Sequence, residues 1–200
     1  MPPFKSTGRL ILASASPRRS SLLLELGLDF EIKESQVDEK PLPGEPPREF
    51  VRRVACEKTT TIAAGNVWSW VLGADTLVVC DDRILGKPRD AEHALAMLQA
   101  LSGRAHLVHT GFCLQHEKER ICASGVVTTE VVFSSFSEEI AAAYVATGEP
   151  LDKAGAYGIQ GCGGFLVERI NGSYSNVVGL PLVEVIGELL RYKIVTPCAG

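Results

Sequence analysis

A short apolar run, Leu10-Ile11-Leu12-Ala13, leads directly into Ser14-Ala15-Ser16-Pro17-Arg18-Arg19, and no other stretch restricts the fold as strongly. Pro17 suits the first position of a helix, and Ser16 before it suits the N-cap. The order is therefore strand, tight small-residue turn, helix N-terminus. Two arginines in that first turn oppose the helix dipole, which favours negative charge at this end. An anion between them would reverse the penalty, because backbone N–H groups, serine hydroxyls and forked guanidinium donors then converge on phosphate oxygens. A solvated basic helix start is the plain alternative, and this segment alone leaves both open.

Downstream, apolar strands alternate with helical periods, which reads as α/β or α+β. Helices are expected over Pro17–Leu26, Arg48–Ala64, Asp90–Leu101, Glu138–Thr147 and Leu182–Tyr192. Strands are expected over Leu10–Ala13, Phe30–Ile32, Val71–Cys80, Ala105–Leu114 and Ile121–Phe133, the third interrupted by Gly73-Ala74-Asp75-Thr76. Phe165–Ile170, the turn Asn171-Gly172 and Ser175–Val178 read as a hairpin. Four prolines within Pro41–Pro47 mark an exposed loop.

The 200 residues suffice for one large domain or two small lobes, and an apolar fraction of 46% is ample for a core. A net charge of −4 argues against a broad face for a nucleic acid polymer but allows a local basic pocket. No run is apolar enough to span a membrane, and the first residues carry no apolar signal core, so the cytoplasm is the expected compartment. The six cysteines have neither zinc nor disulfide spacing and read as small buried hydrophobes. His106 and His109 lie on opposite faces of one strand, which disfavours joint metal ligation.

Three segments could carry chemistry. Asp75 lies between apolar runs, where a carboxylate costs several kcal/mol unless a cation or hydrogen bonds offset it. It is a candidate metal ligand or general base, against the alternative of an acid that caps a bulge. Lys87 stands between Gly86 and Pro88 in a turn that suits a triphosphate, while Lys58 reads by default as a surface lysine ending the apolar part of a helix. The segment from Leu151 to Gly161 has three glycines and no clean period, as in a loop wrapped around a ligand. Within it Gln160 carries a paired donor and acceptor able to read a base edge, and Tyr157 can pack nearby. There is no Walker loop and no dinucleotide Gly-x-Gly-x-x-Gly after a strand.

In order along the chain, Leu12-Ala13-Ser14-Ala15-Ser16-Pro17-Arg18-Arg19, Val37-Asp38-Glu39, Ala55-Cys56-Glu57-Lys58, Gly73-Ala74-Asp75-Thr76, Gly86-Lys87-Pro88, Leu101-Ser102-Gly103-Arg104, the segment from Asp152 to Gly161, and Val178-Gly179-Leu180-Pro181-Leu182 together resemble the Maf family of nucleoside triphosphate pyrophosphatases. The resemblance implies one domain across residues 1–200, with 1–9 and 193–200 as flexible tails. It implies an α/β fold like that of inosine triphosphate pyrophosphatases, with a mixed sheet, flanking helices and two lobes around a central cleft. It also implies cleavage of a nucleoside triphosphate to monophosphate and pyrophosphate with a divalent cation, Mg²⁺ or Mn²⁺. Asp-Lys-Ala-Gly-Ala-Tyr-Gly-Ile-Gln looks like the branch acting on dTTP and UTP.

Carried over by motif, Asp75 would be the catalytic acid–base residue or a metal ligand. Arg18, Thr76 and Gln160 would set specificity, Ser14, Lys58 and Lys87 would contact phosphate beside Arg19, and Glu39 would help hold the metal. Two alternatives remain open: a nucleotide-binding regulator of division or septum formation with little turnover, and a pyrophosphatase for modified nucleotides such as 7-methyl-GTP. Exposed apolar edges would serve a homodimer.

Overall fold

The computed structural model describes residues 2–198. Its strands are β1 (Phe4–Ser6), β2 (Leu10–Leu12), β3 (Glu31–Ile32), β4 (Trp70–Cys80), β5 (Arg83–Leu85), β6 (Ala105–His116), β7 (Ile121–Phe133), β8 (Val167–Asn171) and β9 (Val195–Pro197). The helices are α1 (Pro17–Glu25), α2 (Pro47–Ala63), α3 (Ala91–Leu101), α4 (Glu138–Ala146), α5 (Tyr174–Val178) and α6 (Leu182–Arg191), with 3₁₀ turns at Glu149–Asp152, Ala154–Ala156 and Gly161–Leu166. The main sheet runs β3-β2-β4-β6-β7-β8, with β5 on β4. It is mixed: β2 pairs parallel to β3 and β4, while β5 and β8 pair antiparallel to β4 and β7. The α/β class with a mixed sheet and flanking helices is thus as the sequence predicts. Among the described residues, no helix is long and apolar enough to cross a membrane.

The chain divides into two compact units: 1–75, 110–127 and 179–200 in the first, 76–109 and 128–178 in the second. In the first unit, Ile11, Ala13, Ala63 and Val71 pack together without solvent exposure. Helix α2 buries Val51, Val54, Ala55, Lys58 and Thr59, an i, i+3, i+4, i+7, i+8 stripe. Gly73 and Gly111 let this helix sit close: a Cβ at Gly73 would lie 2.3 Å from Thr59 Oγ1, and one at Gly111 2.3 Å from the Val51 carbonyl oxygen. The second unit has its own core, in which Val78, Leu98, Leu101, Val131, Phe133, Ala156, Tyr157 and Leu166 are buried.

Four details differ from the sequence reading. The stretch Gly73–Thr76 does not interrupt β4, because Gly73 serves helix approach and the Asp75 charge is met by a cation within the fold. No hairpin forms after Asn171-Gly172: the Thr129 hydroxyl accepts from the Ser173 N–H (3.0 Å) and the Ser173 hydroxyl from the Asn176 N–H (3.2 Å), which starts α5 instead. The segments expected as tails hold an antiparallel ribbon, Phe4 opposite Pro197 and Ser6 opposite Val195; Met1, Ala199 and Gly200 lie outside the described residues. Of the cysteines, Cys80 and Cys113 are buried, but Cys122 and Cys162 are exposed.

In the second core His106 Nε2 lies 2.8 Å from Tyr157 Oη, its ring is edge-on to Phe133, and its Nδ1 has no hydrogen-bond partner among the described residues. Burial lowers its pKa from 6.5 to about 4. The unfolded chain therefore binds one more proton than the folded one between these values, and stability falls as pH drops through that window. The slope is about 1.4 kcal/mol per pH unit, or roughly 3 kcal/mol in all. Urea melts of the wild type and of His106→Gln between pH 7 and pH 4 check this: the variant loses that share of the acid dependence.

Candidate active site

Asp75 lies mid-way along β4 and Lys58 in the buried stripe of α2, each with only 7% of its surface exposed. Lys58 Nζ stands 2.8 Å from Asp75 Oδ1 and 2.7 Å from Glu39 Oε1. One ammonium thus joins a buried carboxylate to a carboxylate half exposed to water. The spacing along α2 makes this unavoidable. Residue 58 falls on the stripe set by Val51, Val54 and Ala55, so its charge must enter the fold, and the cost is met by a partner on the adjoining strand.

Burial pushes the Asp75 carboxyl above the usual carboxylate range, against the pull of the Lys58 charge and hydrogen bond and of the Arg19 charge. Arg19 is buried on α1, and burial lowers its pKa while the Asp75 and Glu39 charges oppose the shift. Its Nε donates to the Gly179 carbonyl oxygen (2.7 Å) and its Nη1 to Ser14 Oγ (2.9 Å). Ser14 Oγ also accepts from the Ser16 N–H (3.3 Å), so the turn is tied by Ser14, and Ser16 stands at the helix N-cap without a capping side-chain bond. Arg18 is half-buried, and its charge bears on Arg19.

The first unit therefore gathers Ser14, Arg18, Arg19, Glu39, Lys58 and Asp75 from four chain segments. The other expected residues belong to the second unit. Thr76 is the next residue of β4. Lys87 is exposed in the turn after β5, and Gln160 is half-buried between the second and third 3₁₀ turns. The Gly155 N–H donates to the Gly86 carbonyl oxygen (3.1 Å), which ties the Lys87 turn to the glycine-rich segment.

Arg53 has a part that no motif announces. Its Nε and Nη2 grip both oxygens of Glu45 (2.7 and 2.8 Å), Nη1 reaches Glu57 (3.1 Å), and Nη2 also donates to the Lys40 carbonyl oxygen (3.0 Å). A forked guanidinium thereby clamps the proline-rich loop to α2, one residue from Glu39. The signal for it in the sequence is the Arg53/Glu57 pair at i, i+4.

The signature described as Maf-like protein matches residues 9–192. The chain belongs to the Maf family. It is 52% identical over 193 residues to a protein of Desulfotalea psychrophila named dTTP/UTP pyrophosphatase, covering 96% of this chain and 99% of that one. Proteins of the same name from Geobacter sulfurreducens and Anaeromyxobacter dehalogenans are 50% and 52% identical, over 92% of this chain and 96% and 93% of theirs. In this Maf protein the resembling motifs therefore lie within a match across nearly the whole chain.

The ion pair makes a direct prediction. Lys58→Met leaves a buried carboxylate without its cation and costs about 3–5 kcal/mol. Adding Asp75→Asn removes the stranded charge, so the double variant melts above the single Lys58→Met variant. Thermal melts of the two singles and the double check the order.

Proposed function

We propose that this protein hydrolyses dTTP and UTP to the nucleoside monophosphate and pyrophosphate. The observation that carries the reading is Lys58 joining mid-strand Asp75 to Glu39, in a Maf chain about half identical to proteins named dTTP/UTP pyrophosphatase. A carboxyl whose pKa is raised by burial is a better base than an ordinary aspartate, and the adjacent ammonium keeps it ionised. Asp75 takes a proton from a water whose oxygen attacks the α-phosphorus. The bond from that phosphorus to the bridging oxygen breaks, and pyrophosphate leaves with the electron pair. Lys58, Lys87 and Arg18 balance the phosphate charge, and Ser14 with Arg19 shapes the turn before α1.

The carboxylates suit a hard divalent cation. Glu39 and Asp75 offer oxygen donors to the same point, now the Lys58 ammonium, and among the described residues no group of three or more His, Cys, Asp or Glu could hold a metal alone. That donor set fits Mg²⁺ or Mn²⁺ held by one or two carboxylates and completed by water and substrate phosphates. When bound, such an ion would offset negative charge on the phosphates and on the departing pyrophosphate.

Gln160 offers a donor and an acceptor to the O4/N3–H edge shared by thymine and uracil, and Thr76 adds a hydroxyl to the specificity set. Cytosine presents the opposite order on that edge. Free nucleotide in the cytoplasm, rather than a nucleic acid polymer or a membrane, is the partner this chemistry fits.

The test is pyrophosphate release from dTTP, UTP, CTP, GTP, 7-methyl-GTP and dITP with Mg²⁺ or Mn²⁺. Release from dTTP and UTP well above the rest is expected, and chelation by EDTA abolishes it. Preference for 7-methyl-GTP or dITP overturns the base reading, and binding without release overturns the enzyme reading in favour of a regulator. Asp75→Asn lowers kcat by about 10²–10⁴ while the protein stays folded.

A further inference from the structure

A glutamine amide discriminates between bases only if it is held, because a flipped amide suits the opposite edge equally well. The backbone on both sides of Gln160 is held by two side chains that the mechanism does not use. Tyr144, on α4, is buried; Glu149, in the first 3₁₀ turn, is half-buried. Tyr144 Oη donates to Glu149 Oε1 (2.8 Å) and accepts from the Gly158 N–H (3.1 Å). Glu149 Oε2 accepts from the Cys162 N–H (2.9 Å) and Oε1 from the Gly163 N–H (3.2 Å). Three backbone donors, two residues before Gln160 and two and three after it, therefore end on one tyrosine–carboxylate pair.

The glycines around Gln160 fit this cradle. A Cβ at Gly163 would lie 2.3 Å from Tyr144 Oη, and one at Gly161, where φ is +79°, would lie 2.9 Å from Glu149 Oε2. The Lys153 ammonium donates to the Glu149 carbonyl oxygen (2.6 Å), which fastens the turn that carries the carboxylate. An unpaired segment of this length with four glycines between 158 and 164 would sample many conformations, whereas charge-assisted bonds from a carboxylate to backbone N–H groups are the strong kind.

We propose that Tyr144 and Glu149 are positioning residues for base selection: they hold segment 158–163 in one conformation and so fix how Gln160 meets the base. This rests on the reading of Gln160 given under Proposed function. Neither residue touches the substrate; both act through the backbone of the segment they bind.

The experiment measures kcat and KM for UTP, CTP and a ribose 5-triphosphate lacking a base, in the wild type and in Tyr144→Phe, Glu149→Gln and Glu149→Ala. Tyr144→Phe and Glu149→Ala are expected to shrink the UTP-over-CTP ratio of kcat/KM by about tenfold or more, mainly through KM for UTP, since displacement by about 1 Å can cost up to about a hundredfold. The base-free substrate should lose far less than UTP. Glu149→Gln keeps one acceptor oxygen and should recover part of the ratio lost in Glu149→Ala. If Glu149→Ala folds poorly, Tyr144→Phe and Glu149→Gln carry the comparison. Folded variants with the wild-type ratio, or with equal losses on all three substrates, overturn the positioning role while leaving the pyrophosphatase reading intact. A wild type without preference for UTP over CTP overturns the reading of Gln160 itself, and this inference with it.

Discussion

One ammonium group between two carboxylates organises the buried charge of the first unit. Lys58 and Asp75 are both almost wholly shielded from water, while Glu39, the third member, is half exposed. Either buried charge alone would cost several kcal/mol. Together they are tolerated, and the asymmetry matters. Glu39 faces water and can exchange partners, whereas Asp75 keeps Lys58 in hand. The arrangement is charged, positioned and open on one side, as the hydrolysis proposed for this chain requires.

Keeping that group in register constrains its surroundings. Helix α2 must approach β4 closely enough for a lysine side chain to reach mid-strand, so residue 73 cannot carry a side chain without meeting Thr59 and the Ala55 carbonyl. Thr59 returns its own hydroxyl to that carbonyl (2.7 Å), leaving no unsatisfied donor at the contact. Arg53 ties the loop before α2, which starts one residue after Glu39, to the helix and so limits where Glu39 can stand. Close packing at Gly73 and the Arg53–Glu45 salt bridge thus restrain the two segments, β4 and the loop before α2, that supply the carboxylates around Lys58.

How much of this is legible in the sequence depends on the range of the interactions. The strand–turn–helix at Leu10–Arg19, the α2 period and the Asp90 cap of α3 are local, and residues within a few positions of one another encode them. Asp75 stands out because an acid between apolar runs contradicts its surroundings. Lys58 does not stand out as a single lysine; its place on the Val51–Val54–Ala55 stripe is the better signal. The ribbon of β1 and β9, expected as tails, pairs residues almost 200 positions apart, and no local pattern announces that partnership. Asn171-Gly172 reads as a hairpin turn locally, yet hydrogen bonds with Thr129, more than 40 residues earlier, select a helix for the next segment.

The same distinction explains the glycine-rich segment. By composition it lacks any period, and the sequence shows only a loop that could wrap a ligand. Its order comes from Tyr144 and Glu149, residues that look unremarkable in a helix and at a helix break. Lack of intrinsic preference is useful here: a segment with a strong helical or extended tendency would resist a conformation dictated by two outside side chains. Glycine removes that resistance, and the carboxylate replaces it with directional bonds. On the reading proposed for Gln160, base selection resides as much in what grips the backbone as in the Gln160 side chain, and a motif that records only the loop contains half of the device.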